Sequence, residues 1–344
     1  PSPRVHVTLE HPMPQTARSV QQVSRPSGRP TGAEFRFVDG PVPAPGPGTA
    51  LVENVLLSVD PYMRENMDGD WALAAPLEGR SIGRVTASRT HGLTEGDLVF
   101  HRQGWRTHAV VRPEEVRVLP QAPGVPAEAY LGILGGTGLT AYVALTRIAR
   151  IEPGETVYVS AAAGGVGSAA GQLARLMGAG RVVGSAGSPA KVRFLVEELG
   201  FDAAFDHREG RLAEQLAKAA PEGIDVYIDN VGGEHLEAAI GAMREYGRIA
   251  WCGAIAQYDA SEPPPAPRNL FDLVGKSIRL EGFLVRNHRD AQEELERLLL
   301  PALAAGTVID RHTVTEGFDG VVDAFLGMLD GRNTGKATVR VVAS

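Results

Sequence analysis

Residues 156–171 read TVYVSAAAGGVGSAAG, an apolar β-type run that enters a glycine turn and then a helix of small residues. Gly164 and Gly167 occupy the second and third glycine positions of G-x-G-x-x-G, and Ala162 stands at the first. Such a turn suits the pyrophosphate of a dinucleotide. Gly164 lets the backbone approach a phosphate, Gly167 lets helix and strand pack closely, and a helix beginning near Val166 presents free N–H groups to the anion. Taken alone, a turn with one glycine missing is equally a Gly/Ala-rich connection between any strand and helix.

The residues that follow choose between dinucleotides. An NAD site places an acid about 20 residues beyond the turn, where it bonds the ribose hydroxyls. Here that strand ends in Gly184-Ser185-Ala186-Gly187-Ser188, with no acid, and Lys191 follows one turn into the next helix. An ammonium and the N–H groups of a helix start suit a 2′-phosphate, so the pattern selects NADP(H), although Lys191 alone also fits a solvent-facing lysine. Zinc chemistry lacks its ligands, because Cys252 is the single cysteine and there is no H-x-x-x-H cluster. His101 and His108, flanking Trp105 in HRQGWRTH, have no partner at ligand spacing and read as surface or packing residues. DGRNTGKAT (330–338) has three residues rather than four between its glycines and Ala337 after Lys336, so it fails as a Walker A loop. Cys252 itself lies at a strand end among apolar residues and reads as inert.

Elements of two kinds must position these residues. A chain of 344 residues exceeds the usual single core, so two domains are expected. Between 156 and 283, short apolar runs alternate with longer amphipathic ones, which predicts βαβ units and a doubly wound parallel sheet. The strands are expected at 156–160, 181–185, 203–206, 225–229, 248–252 and 277–283. Ser188-Pro189 starts a helix, Val192, Leu195, Val196 and Leu199 continue it, and Gly200 closes it. Before residue 135 the chain is rich in Pro, Gly and short Val runs, a β-rich pattern in which PVPAPGPG (41–48) makes a long turn between strands. EPPPAP (262–267) reads as a stiff loop. Helices are expected from Ala291 to Leu303 and from Phe318 to Leu329, and KATVRVV (336–342) ends the chain as a strand returning to the front domain.

A net charge of −7 and the lack of a Lys/Arg stripe argue against a nucleic-acid surface. No apolar run has the character of a signal peptide or the length of a membrane span, so a cytoplasmic location is expected, with no membrane partner.

Seven ordered segments sharpen the reading: SVDPYMR (58–64), GLTAY (138–142), AAAGGVGSAAGQLA (161–174), DNVGG (229–233), GRIAWCGAIAQY (247–258), EGFLV (281–285) and GMLDGRNTGK (327–336). In this order they resemble the zinc-independent medium-chain dehydrogenase/reductases, specifically the prostaglandin reductase, alkenal double-bond reductase and curcumin reductase group. The resemblance implies a GroES-like catalytic domain of residues 1–135 and 311–344 around a Rossmann NADP-binding domain of residues 136–310. It also implies NADPH-dependent reduction of the carbon–carbon double bond of an α,β-unsaturated ketone or aldehyde. The pyrophosphate would lie on Gly164, Gly165, Val166 and Gly167, and the 2′-phosphate near Ser188, Lys191 and His207. The nicotinamide half would meet Thr137, Asn230, Cys252, Gly253, Ile255, Phe283, Leu284, Val285 and Asn333. Tyr258 and Tyr62 would line the substrate cleft, with Tyr258 also touching the cofactor.

In that chemistry a hydride reaches the β-carbon and negative charge gathers on the carbonyl oxygen. Tyr258 supplies a neutral hydroxyl there, since an unperturbed tyrosine stays protonated up to a pKa of about 10, and the cofactor ribose offers a second donor. Gly136-Thr137 stands where the group usually has Met-Pro, His207 where it has a tyrosine, and MDGDW (67–71) departs from its usual sequence. A quinone or alcohol oxidoreductase and a non-catalytic NADP-binding protein are the competing readings. An exposed edge strand on the nucleotide-binding sheet predicts a homodimer.

Overall fold

The computed structural model describes residues 16–120, 122–260, 262 and 265–341. Residues 1–15 of the expected front domain, 263–264 of the proline-rich loop and Val342 of the expected last strand lie outside them.

Strands β1 (Thr16–Gln22) and β2 (Phe35–Pro41) pair antiparallel as a separate ribbon. The loop 42–49 then leads into β3 (Ala50–Ser58), so the proline-rich stretch is indeed a turn between strands. Helix α1 (Tyr62–Asn66) follows at once, and β4 (Ser81–Ser88), β5 (Leu98–His101), β6 (His108–Val111) and β7 (Arg117–Val118) complete this part of the front sheet. His101 is buried there and bonds Asn54 Oδ1 at 2.8 Å, a packing role, while His108 is half-buried.

Helix α2 (Gly136–Val143) leads into the second sheet, which runs β8 (Thr156–Val159), β9 (Arg181–Ala186), β10 (Ala203–Asp206), β11 (Ile224–Asp229), β12 (Met243–Trp251) and β13 (Arg279–Gly282). All five pairings are parallel, and the spatial order is β10-β9-β8-β11-β12-β13. This doubly wound order reverses between β8 and β11, and the crevice beyond their carboxyl ends is where such sheets bind ligands. Both faces are covered. Val157, Val159, Val226 and Ile228 pack into one cluster with Leu139, Ala170 and Leu173. Tyr158, Val183 and Tyr227 point the other way, onto Leu216, Leu236 and Ile240, with the Tyr158 and Tyr227 rings stacked at 4.9 Å. Near-continuous apolar strands are the sequence signature of such two-sided burial.

Six strands fall where the alternation places them, with shifted ends. β12 begins already at Met243, and β13 omits Ser277, whose φ of +52° takes it out of the extended region. Helix α3 (Gly165–Leu176) starts one residue before Val166. Helix α4 (Pro189–Arg193) passes into a π-type turn over Phe194–Glu198, and Gly200 at φ +70° closes the run.

The chain then returns. Helix Gln292–Ala304 packs beside α2 and buries Leu295 and Leu299 in the core they share. β14 (His312–Glu316) and β15 (Lys336–Arg340) join the front sheet, in the order β14-β15-β3-β4-β5-β7 with β6 against the outer part of β3. Between them, helix Val321–Leu329 buries Val321, Val322 and Phe325.

Gly167 is where α3 crosses β8. A methyl group there would lie 2.4 Å from the Ala161 carbonyl oxygen and 2.6 Å from Ala162 Cα, whereas at Gly164 the nearest atom is 3.3 Å away. Gly167→Ala should therefore destabilise the fold by about 1–3 kcal/mol, and Gly164→Ala by less than about 1 kcal/mol. Denaturant unfolding of both variants checks this, and equal losses would contradict the packing role assigned to Gly167.

Candidate functional site

The glycine turn begins with a non-glycine in an unusual conformation. Ala161 holds φ +46°, and Ala162 turns back so that its N–H donates to the Ser185 carbonyl at 2.8 Å. The Ala162 methyl uses room left by Gly184, where a Cβ would approach it within 2.8 Å. The small residue has moved to the neighbouring strand, which explains why the turn dispenses with its first glycine. Gly164 caps α3 with an open approach to the backbone, and Val166 packs against the core beneath. Gly165 lies against the wall: a Cβ there would be 3.0 Å from the Thr137 methyl and 3.4 Å from Lys336 Cδ. The Thr137 hydroxyl is already committed to the Gly132 carbonyl at 2.6 Å, so this residue shows its methyl to the turn.

The segment 330–336 runs alongside. Gly335 donates its N–H to the Ala163 carbonyl at 2.7 Å, and Asn333 Nδ2 donates to the Gly335 carbonyl at 2.7 Å. Gly335 is needed there, since it holds φ +71° and a Cβ would fall 1.9 Å from the Arg311 carbonyl oxygen.

At the end of β9, Ser188 caps α4 by accepting from Lys191 N–H at 3.3 Å. The Lys191 ammonium donates to the Gly331 carbonyl at 2.6 Å, and burial together with Arg208 lowers its pKa. The parallel register pairs Ala186 with Asp206, and this sets His207 and Arg208 beside Gly187. A Cβ on Gly187 would lie 3.2 Å from His207 Nε2 and 3.3 Å from Arg208 Nε. Burial and then Arg208 depress His207, so its ring is neutral at pH 7, and it meets the His235 ring edge-on at 5.0 Å. The nearby carboxylate, Asp206, accepts the Arg208 backbone N–H at 3.0 Å. Arg208 and His235 escape the sequence reading. The signal for Arg208 lay in the register of a third strand, which places FDHRE next to the end of the second, while His235 comes from the helix Gly233–Ala242.

Across the switch point, Asp229 organises the loop after β11. Its Oδ1 accepts from the Tyr227 hydroxyl at 2.8 Å, Val231 N–H at 2.9 Å and Gly232 N–H at 2.8 Å. Asn230 is fixed in one orientation, Nδ2 donating to the Ser160 carbonyl at 2.8 Å and Oδ1 accepting from Cys252 Sγ at 3.2 Å. Cys252 thus has polar company as well as apolar neighbours, for its thiol also reaches the Asp229 carbonyl at 3.2 Å. Burial pushes that thiol far above its ordinary range and keeps it protonated. Gly253 N–H donates to the Asp229 carbonyl at 3.1 Å and Ile255 N–H to the Asn230 carbonyl at 3.2 Å, lacing the two loops together. Phe283 sets its ring edge against His288 at 6.2 Å, Leu284 is exposed, and Val285 opens a short helical turn.

Tyr258 follows on this second loop. Burial, and then Glu65 on α1, push its phenol up to about 12, so it carries its proton across the physiological range. The next residue ties the loop to the front domain: Asp259 pairs with Arg64 Nε at 3.5 Å and Arg29 Nη1 at 3.6 Å. Arg64 is buried and is also held by Asp68 and the Gly28 carbonyl, each at 2.8 Å. Tyr62, on the same helix, lies under the Arg80 guanidinium at 5.0 Å, and its hydroxyl is buried without a hydrogen-bond partner among the described residues. Burial and Asp60 raise its pKa well above the usual value. Asp60 is shared by Arg80 and Lys336, each 3.3 Å from Oδ1.

The arrangement can cradle a phosphorylated dinucleotide and present a neutral phenol to a polar atom of a second ligand. Among the described residues no group of three or more His, Cys, Asp and Glu side chains is placed to hold a metal ion, and no helix is long and apolar enough to cross a membrane.

Two family models match the chain: "Zinc-binding dehydrogenase" over residues 165–300 and "N-terminal domain of oxidoreductase" over residues 18–119. The 2-alkenal reductase (NADP(+)-dependent) of Nicotiana tabacum is 39% identical over 86% of this chain and 88% of its own length. Prostaglandin reductase 1 of Bos taurus is 40% identical over 91% of this chain and 95% of its own. The structure of CurA from Vibrio vulnificus in complex with NADPH superposes with a TM-score of 0.88, at 34% identity, covering 95% of this chain and all of that one. With relatives of this identity spanning both sheets, the chain belongs to the zinc-independent medium-chain dehydrogenase/reductases, in the group of NADP-dependent alkenal, curcumin and prostaglandin reductases.

Proposed function

We propose that this protein is an NADPH-dependent reductase of the carbon–carbon double bond in α,β-unsaturated ketones and aldehydes. The observation that carries the reading is the Tyr258 phenol, kept protonated by burial on a loop that Asp259 ties to Arg64 and Arg29 and that Gly253 and Ile255 lace to the loop after β11. The residues present fit NADP: an open backbone at Gly164, and Lys191, His207 and Arg208 gathered at the acid-free end of β9, with Asp206 turned to the Arg208 backbone N–H. The homologous tobacco enzyme is named for alkenals and for NADP, in keeping with this assignment.

Bound NADPH supplies the hydride for the electron-poor β-carbon. The protein's task is to stabilise the charge that gathers on the carbonyl oxygen, and a donor already oriented and desolvated does so without reorganising at the moment of reaction. Tyr258 is that donor. Its raised pKa means that it can donate to the oxygen while retaining its own proton. Asn230, locked between Ser160 and Cys252, offers a fixed amide edge to the nicotinamide half. On the other half, Lys191 keeps two of its three ammonium donors for a phosphate after bonding Gly331.

Initial rates with NADPH and a small enone, its saturated ketone and a quinone test the reading. The enone should be consumed and the ketone left untouched, and turnover of the ketone or quinone without the enone would refute it. Tyr258→Phe should lower kcat by about 10²-fold with a smaller effect on KM, the pattern of a bond made mainly in the transition state. An unchanged kcat would remove Tyr258 from the chemistry. Lys191→Ala and Arg208→Ala should each weaken NADPH about tenfold or more, the worth of one charge-assisted contact, with NADH affected little. Equal losses for both cofactors, read by fluorescence titration, would overturn the 2′-phosphate assignment.

A further inference from the structure

Arg80 is a buried cation that the reading above does not use. It immediately precedes β4, its side chain is 17% exposed, and its one ion pair among the described residues is with Asp60. Its donors are poorly satisfied. Asp60 is a single carboxylate facing two cations, and Lys336 is the better satisfied of them, with donors to the Val59 carbonyl at 2.6 Å, the Ala337 carbonyl at 2.8 Å and Asp60 at 3.3 Å. The third ion pair nearby, Glu78 with Arg102 at 2.6 Å, is neutral in itself. Lys336 is stabilised by Asp310 as well as by Asp60, whereas the Arg80 guanidinium sets five donors against a single acceptor 3.3 Å away.

Its position is equally specific. The guanidinium lies over the Tyr62 ring and against Gly136, where a Cβ would approach Cζ within 2.8 Å. A side chain at 136 would therefore evict it. Gly136 opens α2, and the next residue, Thr137, touches the glycine turn at Gly165. Tyr62 sits on α1, the helix that also receives the Tyr258 loop through Arg64 and Asp259. Arg80 thus stands between the dinucleotide turn and the helix carrying Tyr62, on the wall of the cleft assigned to the enone.

We propose that Arg80 is a substrate-binding residue that selects enones bearing a carboxylate, the free edge of its guanidinium accepting that group as a fork. A planar monoanion matches the planar pair of unengaged N–H donors, and burial strengthens the contact. This proposal rests on the enone-reductase reading.

The test compares β-acetylacrylate, an enone with a carboxylate, and its methyl ester as substrates of the intact protein with NADPH. The wild type should favour the acid in kcat/KM by about tenfold or more, the worth of a charge-assisted hydrogen bond, and added salt should reduce that preference. Arg80→Gln should bring the acid-to-ester ratio near one, and Arg80→Lys should keep part of it. Should the glutamine variant not fold, as judged by its melting curve, Gly136→Ala displaces the guanidinium without removing its charge and should lower the same ratio. An equal rate on acid and ester in the wild type, or an unchanged ratio in the variants, overturns the role of Arg80 while leaving the enone reading in place. A parallel loss of NADPH affinity and of turnover on both compounds assigns the residue to the cofactor and overturns the proposal too. If neither acid, ester nor a plain enone is consumed, the enone reading itself fails, and the proposal with it.

Discussion

The Asp60 carboxylate is the point on which the site is assembled. Burial alone would raise its pKa, yet Lys336 and Arg80 hold it below the ordinary carboxylate range, so it is charged and nearly inaccessible to water. Through it the end of β3, the start of β4 and the start of β15 are drawn to one place, and the Lys336 stem passes beside Gly165 on the way. A buried ion pair is weak evidence for net stability, because desolvation offsets much of the attraction. Removing the Asp60 carboxylate is a different matter, since it leaves both cations without their shared partner and costs about 3–5 kcal/mol. The cluster therefore specifies geometry: the last strand enters the front sheet only where its lysine can reach Asp60.

That entry point determines how the two sheets face each other. Gly335 bonds the glycine turn at Ala163 one residue before Lys336 reaches Asp60, so the turn and the front sheet share a single backbone junction. On the opposite side of the cleft the Asp259 pairs fasten the Tyr258 loop to α1 and to Arg29. A loop so fastened at one residue, and laced to the loop after β11 through Gly253 and Ile255, leaves its tyrosine little freedom to move.

Much of this was legible in the chain. The alternation of apolar runs located all six strands of the second sheet because parallel strands covered on both faces cannot hide their composition. The acid-free end of β9 and the Ser188-Pro189 cap were equally local signals, readable because capping and turn chemistry act over a few residues. Ala162 in place of glycine was legible only as a departure. Its cause, the space beside Gly184, depends on how two strands lie side by side. Arg208, Arg80 and Asp259 escaped for the same reason: each acquires its meaning from a partner on another strand or helix, at a distance in sequence that no periodicity records. Strand ends were misjudged where a single residue, such as Ser277 at positive φ, leaves the extended region.

The loop 330–335 joins the two halves of the cleft into one mechanical unit. Lys191 holds the Gly331 carbonyl, Asp330 next to it pairs with Arg29, and Arg29 pairs with Asp259 beside Tyr258. An ammonium has three donors, so Lys191 can keep Gly331 and still bind a phosphate. Cofactor and loop then do not compete for the lysine. The contacts therefore run without a break from the end of β9, through Gly331, Asp330 and Arg29, to Asp259 beside Tyr258.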